Sequence, residues 1–450
     1  MASKETLNSL SSDLASGRTT SRALTEACLA RIEDSAGEGS RTFIQVDKAV
    51  ALAQADAMDL MRSKGAEPSP YAGIPISIKD LFDIRGQVTR AGAKVLSDAP
   101  PALEDAAAVT RLRRAGFVFI GRTNMSEFAF SGLGLNPHFG TPRNPWDRQT
   151  GRVPGGSSSG GAVSITDGMA YATLGTDTGG SCRIPAAFTG IVGFKPTARR
   201  VPLQGAVPLS TTLDSVGPLA RSVACCAALD AIISGEAETN LSGVSLEGKR
   251  FAVPHTVVLD GMDEIVSRDF ERALSRLSAA GARISRIDLP EFAQIATINA
   301  KGGFTAAESY AWHRPLLAAH ADRYDPRIRM RIERGQSMTA ADYLDLIAAR
   351  RSYIAGVTKR IEPFDAIIFP TVPIVAPKLS DLMEDDAFTS INLLVLRNST
   401  TINMLDGCAI SVPMSDEGAP PTGLTIARAG GGDQAIFRLA AAAEPVLAAA

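Results

Sequence analysis

The 450-residue chain carries 46 Lys and Arg against 48 Asp and Glu, with 45% hydrophobic and 21% charged residues. A formal net charge of −2 supplies no field for nucleic acid or an anionic membrane, so partners of that kind are not expected. Five scattered cysteines form neither a disulfide framework nor a CxxC metal pattern, no window reaches about 18 apolar residues, and MASKETLNSL lacks the features of a secretory leader, so a cytoplasmic protein without a membrane span is expected.

Residues 20–34 predict an amphipathic helix capped by Thr20 or Ser21, and 47–64 a second one ending at Gly65. In Tyr71–Asp80 the alternation of Ile74, Ile76 and Ile78 predicts a strand that ends on Lys79. A lysine after buried isoleucines either snorkels outward or is held inside for chemistry. A helix over 105–114 leads to a strand over 117–120, after which Gly121–Asn124 turns into another short helix. A helix over 222–234, a strand over 249–254, a helix over 263–280 and a strand over 282–289 follow. Residues 300–360 read as a helical excursion carrying Tyr310, Trp312 and His313. Strands over 364–370, 409–413 and 422–427 precede a terminal helix over 433–449. This alternation predicts an α/β fold, one domain spanning 1–450 around one sheet.

The densest stretch is Pro154–Pro185. It holds two small-residue clusters, Gly155–Gly161 and Gly175–Ser181, separated by the apolar Ala162–Leu174. A flexible linker carries no such apolar insert. Consecutive amides in a Thr178-Gly179-Gly180-Ser181 turn can be aimed at an oxyanion, each worth roughly 3–4 kcal/mol in a transition state. A serine hydroxyl beside them needs a base. Of the four histidines (His138, His255, His313, His320), only His138 lies near the clusters in sequence, which directs the search for the base to Lys79. A lysine serves only when neutral, and burial lowers its pKa. A second serine can pass the proton, since a hydroxyl both donates and accepts. The residues therefore suggest Ser-Ser-Lys acyl transfer; spacing leaves open which serine attacks.

The segments GIPISIKD, PGGSSSGG, GTDTGGSCRIP and GFKPT resemble the amidase signature family. The resemblance is dense from Tyr71 to about Pro218 and continues through AESYAWHR, FPTVPIVAP and the ISVP at Ile410. It implies a mixed central sheet covered by helices on both faces. It further implies Ser181 as nucleophile, Ser157 as proton relay after a cis peptide, and Lys79 as general base. The amides of Thr178, Gly179 and Gly180, joined by that of Ser181, would form the oxyanion hole. Asn124, Met125, Phe128, Gly156 and Tyr310 are the expected substrate-binding residues, with Phe130 and Trp312 beside them. Ser158 and Ser159 are expected to cap a helix near Gly160, Thr176 and Asp177 to orient the loop, and Arg183 to pair with Asp177 or Asp80. Cys182 is expected to pack and His138 to hydrogen-bond within its loop.

The implied function is hydrolysis of an amide, anilide or carbamate through a seryl acyl-enzyme, with no metal or organic cofactor. The partner is then a small-molecule amide, and a homodimer is the family-level expectation. The competing reading is the glutaminase component of a tRNA-dependent amidotransferase. Those glutaminase chains usually carry Tyr-Gly after Lys-Pro-Thr, whereas Lys195-Pro196-Thr197 is followed here by Ala198-Arg199-Arg200.

Overall fold

A computed structural model describes residues 5–448. Its strands are β1 (Phe43–Gln45), β2 (Pro75–Lys79), β3 (Val118–Thr123), β4 (Ala172–Thr176), β5 (Val192–Lys195), β6 (Val216–Ala220), β7 (Arg250–Pro254), β8 (Arg283–Ile287), β9 (Ala366–Pro370), β10 (Cys408–Pro413) and β11 (Gly423–Arg428). They form one sheet in the order β1-β3-β2-β4-β6-β5-β10-β11-β9-β7-β8. The β3-β2-β4 and β9-β7-β8 blocks are parallel, and the strands between them pair antiparallel. Parallel neighbours need crossover connections, and helices supply them: Ala107–Arg114 between β2 and β3, Ser159–Thr166 between β3 and β4.

Helices lie on both faces, as the β5 side chains show. Successive strand residues point to opposite faces. A Cβ on Gly193 would run into Cys182 and Ala186 on one side. On the other, the Phe194 ring packs tilted against Phe437 of the terminal helix Asp433–Ala448, with 4.2 Å between ring centres. Covered twice, β2, β4 and β9 are buried at every residue. Edge strand β8 instead exposes Arg283 and Ser285, which blunts it against pairing with another chain.

The helix starts follow their caps. Thr20 Oγ1 accepts the Ala23 amide, Asp47 Oδ1 the Val50 amide and Ser222 Oγ the Cys225 amide. The turn predicted at Gly121 is not there. β3 runs on through Thr123, because the bare Gly121 Cα lets β1 approach; a Cβ would sit 2.7 Å from the Gln45 carbonyl. The helical excursion resolves into Gly303–His320, Pro326–Glu333 and Ala340–Ile361. The helix Asp385–Met404 was not anticipated: its polar, β-branched NSTTIN end carries no helical signal, and it is held by burial of Asn392, Asn398 and Asn403. Among the described residues no helix is long and apolar enough to cross a membrane.

Candidate active site

Lys79 ends β2 inside the protein, fully buried. Its ammonium group donates to Ser157 Oγ at 2.7 Å and to Thr176 Oγ1 at 2.8 Å. Among the described residues no carboxylate lies within ion-pair distance of it. Burial pulls its pKa down to about 8, against the opposing pull of Cys182, Asp177 and Asp214. Thr176 is the last residue of β4, the parallel neighbour of β2, so strand register fixes this bond. Sequence reasoning gave Thr176 to the loop; its hydroxyl in fact belongs to the lysine.

Ser157 follows a cis Gly156–Ser157 peptide. Its carbonyl accepts the Ser126 amide at 3.1 Å, and the Gly156 amide donates to Gly132 at 2.8 Å. The segment 126–132 thus wraps the serine. Ser158 and Ser159 stand at the start of the helix Ser159–Thr166, but neither hydroxyl caps it. They point to the carbonyls of Thr176 and Asn124 at 3.5 Å.

Asp177 organises the loop ahead of Ser181. Its carboxylate accepts the amides of Gly180 (2.9 Å) and Cys182 (3.2 Å), both arms of the buried Arg183 guanidinium, and Asn403 Nδ2 at 2.9 Å. Of the two carboxylates proposed for Arg183, Asp177 is the partner; Asp80 pairs with Arg122 at 2.7 Å. Arg183 holds the Asp177 carboxyl well below the usual carboxylate range despite its burial. One oxyanion assignment is corrected. The Gly180 amide is occupied by Asp177, whereas those of Thr178, Gly179 and Ser181 bond to none of the described residues and are free to act. Gly180 sits at φ +132°, which favours glycine, and a Cβ there would collide with Ser399. The Cys182 thiol is buried and pushed far up from its ordinary pKa, so it packs.

The expected substrate residues are mostly occupied elsewhere. Asn124 is fully buried; its Nδ2 donates to the carbonyls of Arg41 and Gly140, and its Oδ1 takes the Met125 amide. With its hydrogen-bonding groups so engaged, Asn124 braces the wall instead of touching a ligand. Met125 is equally buried, under Gly92, and is core. Gly156 acts through its backbone alone. Phe128 is pinned in an aromatic cluster, 4.3 Å from the His313 ring and 5.4 Å from Tyr324. His313 bonds Tyr324 Oη through Nδ1 at 2.9 Å, and burial lowers its pKa to about 3, so it stays neutral. Tyr310 packs over Gly335 among the helices. His138 lies 3.3 Å from the buried Glu127, where it closes its loop.

A cavity of about 160 Å³ has Leu81, Ala129, Thr176, Thr178, Leu209 and Asp214 among its walls and meets the lysine through its partner Thr176. Thr178 Oγ1 donates to Asp214, which also accepts the amides of Leu209 and Ser210. Burial raises the Asp214 carboxyl to about 6 against those bonds. A small, mostly apolar chamber walled by Thr178 and by the threonine that the lysine holds is of a size for a small acyl group.

The Amidase family model matches residues 23–436, and the chain belongs to that family. It is a hydrolase acting on amide C–N bonds. A 2-amino-5-chloromuconic acid deaminase of Comamonas testosteroni is 36% identical over 385 residues, 84% of this chain and 83% of that one. A glutamyl-tRNA(Gln) amidotransferase component from Symbiobacterium thermophilum is 32% identical over 454 residues, covering 93% and 91%. A crystal structure of an amidase superposes with a TM-score of 0.88 at 34% identity, over 98% of this chain and 99% of that chain.

Proposed function

We propose that this amidase is free-standing and works through a seryl acyl-enzyme on a small-molecule amide. Neutral Lys79 takes a proton from Ser157, and Ser157 takes one from Ser181. Ser181 Oγ then bonds to the amide carbonyl carbon, and the carbonyl oxygen turns towards the amides of Thr178, Gly179 and Ser181. As the C–N bond breaks, Ser157 returns a proton to the leaving nitrogen. Water repeats the sequence, replacing Ser181 at the acyl carbon and freeing the acid. Five unpaired, buried cysteines support placing the protein in the cytoplasm.

The observation that carries this reading is the 2.7 Å bond to Ser157 from a fully buried lysine that has no counter-ion among the described residues. Such a group has been made ready to exist uncharged. The test is hydrolysis by the purified chain alone of anilides, primary amides, carbamates and glutamine. Ser181→Ala is expected to cut kcat by about 10⁴-fold or more. Near-full activity in that variant would remove Ser181 from the role. The amidotransferase relatives favour a second reading, which glutaminase activity seen only with added partner proteins would establish in place of the first.

A further inference from the structure

Between β5 and β6 the chain contains no helix and only the single bridge of Ala206 to Phe82, yet residues 203–214 supply most of the cavity wall. The first part of this segment is tied to the exit of β2. The Val207 amide donates to the Leu81 carbonyl at 2.9 Å, and the Gly205 carbonyl accepts the Asp83 amide at 2.7 Å. Its end is tied to the serine loop, where Ser215 and Asp177 exchange backbone bonds of 2.8 and 3.2 Å. Between these ties, no backbone–backbone bond joins residues 209–213 to another part of the described chain.

A carboxylate holds them instead. Glu308, in the helix Gly303–His320, accepts on Oε2 from Ser210 Oγ at 2.6 Å, the Thr212 amide at 3.1 Å and Thr211 Oγ1 at 3.4 Å. Its Oε1 accepts from Thr212 Oγ1 and, at 2.6 Å, from Tyr343 Oη. Among the described residues no cation lies within ion-pair distance of Glu308, so both of its oxygens are given to neutral donors, and most of these belong to the wall segment. Every contact brings a donor to a group that only accepts, the arrangement in which a carboxylate binds most strongly. Leu213 is buried in the same apolar cluster as Phe304 and Leu346, so the segment stays docked when the carboxylate is removed. In AESYAWHR it is therefore Glu308, and not Tyr310, that reaches the cavity wall. The segment also meets the chemistry. Leu209 and Thr211 line the cavity with Thr176 and Thr178, and Asp214 takes both the Leu209 amide and the Thr178 hydroxyl.

We propose that Glu308 is a positioning residue that sets acyl-chain length: by clamping residues 210–212 it keeps the wall at Leu209 and Thr211 closed to acyl groups longer than the cavity, so that short-chain amides are preferred. This rests on the amidase reading, with the acyl group in the cavity.

The test compares butyramide with octanamide on the full chain. The wild type should favour butyramide in kcat/KM by at least about 10-fold, as a pocket that rejects added methylenes does. Glu308→Ala should bring that ratio to about one, raising KM for butyramide with kcat little changed, because Glu308 touches neither Lys79 nor its two acceptors. Glu308→Gln, which keeps one accepting oxygen, should retain part of the preference, and Thr212→Val, which removes one donor at constant shape, should lose part of it. A role confined to stability would scale both amides by one factor and leave the ratio unmoved. In parallel, titration calorimetry of the two amides onto Ser181→Ala should show the same preference, lost when Glu308→Ala is added. A wild type that turns over both amides equally, or a ratio unchanged in both Glu308→Ala and Thr212→Val, would overturn the inference and leave the amidase reading standing; if Glu308→Ala does not fold, Thr212→Val decides. Turnover of neither amide, with a binding preference that depends on Glu308, would remove the hydrolase reading and keep the clamp.

Discussion

The Asp177 carboxylate holds the Gly180 amide at 2.9 Å. This one bond occupies the Gly180 amide, whereas the amides of Thr178, Gly179 and Ser181 bond to none of the described residues. On the proposed mechanism the oxyanion hole would be assembled from behind, by a buried carboxylate that is itself neutralised by Arg183.

With neutral Lys79 as the base of the proposed mechanism, kcat/KM should rise through an apparent pKa near 8 and fall away towards pH 6. The sign for stability follows from the same shift. The folded pKa lies below the unfolded 10.5, so folding disfavours the ammonium; the penalty is present below about pH 8 and fades as pH rises towards 10.5. Lys79→Met should then gain up to about 3 kcal/mol over the wild type at pH 6 and lose that gain by pH 10.5, read from urea midpoints. A gain of the same size at both pH values would refute the account.

Thr176→Val removes one of the two acceptors of the lysine and keeps the side-chain shape. The ammonium loses solvation, so the rising limb should move to lower pH while the plateau kcat falls about 10-fold. A limb that stays put would show that Thr176 does not set the lysine's charge state.

Asp177→Ala leaves Arg183 buried and unpaired, and frees two loop amides and Asn403. Loss of about 3–5 kcal/mol in chemical denaturation is expected. Asp177→Asn should cost less stability, yet it still weakens the hold on the Gly180 amide, so kcat should drop with KM little changed.

Gly193→Ala places a methyl group against the Cys182 carbonyl, one residue from Ser181. The Cys182 backbone and the Ala186 Cβ leave no room to yield, so we expect at least about 2 kcal/mol of destabilisation and a lower kcat. Gly243→Ala, with open space around its Cα, should cost less than half as much, arising from its φ of +63° alone.

Much of the site was legible in sequence. The alternation of isoleucines announced the strand that carries Lys79, and the shortage of histidine pointed to that lysine. Thr176 could not be assigned, because its role depends on β2 and β4 being parallel neighbours, a long-range pairing that spacing does not encode. Gly180 was placed in the oxyanion hole because consecutive amides read alike in sequence; only the side chain of Asp177 separates one from the others. The family resemblance assigns Asn124 to the pocket, but its Nδ2 donates to backbone carbonyls of two other loops and its Oδ1 accepts the adjacent Met125 amide.

The parallel β2–β4 pair fastens Lys79 and its threonine to backbone hydrogen bonds, while Ala129 and Leu209, which line the cavity, lie outside both strands. The partners of the lysine and most of the apolar wall are thus separate mechanical parts. Libraries meant to redirect this amidase to new acyl groups can start at Ala129 and Leu209, leaving untouched every residue that touches the lysine.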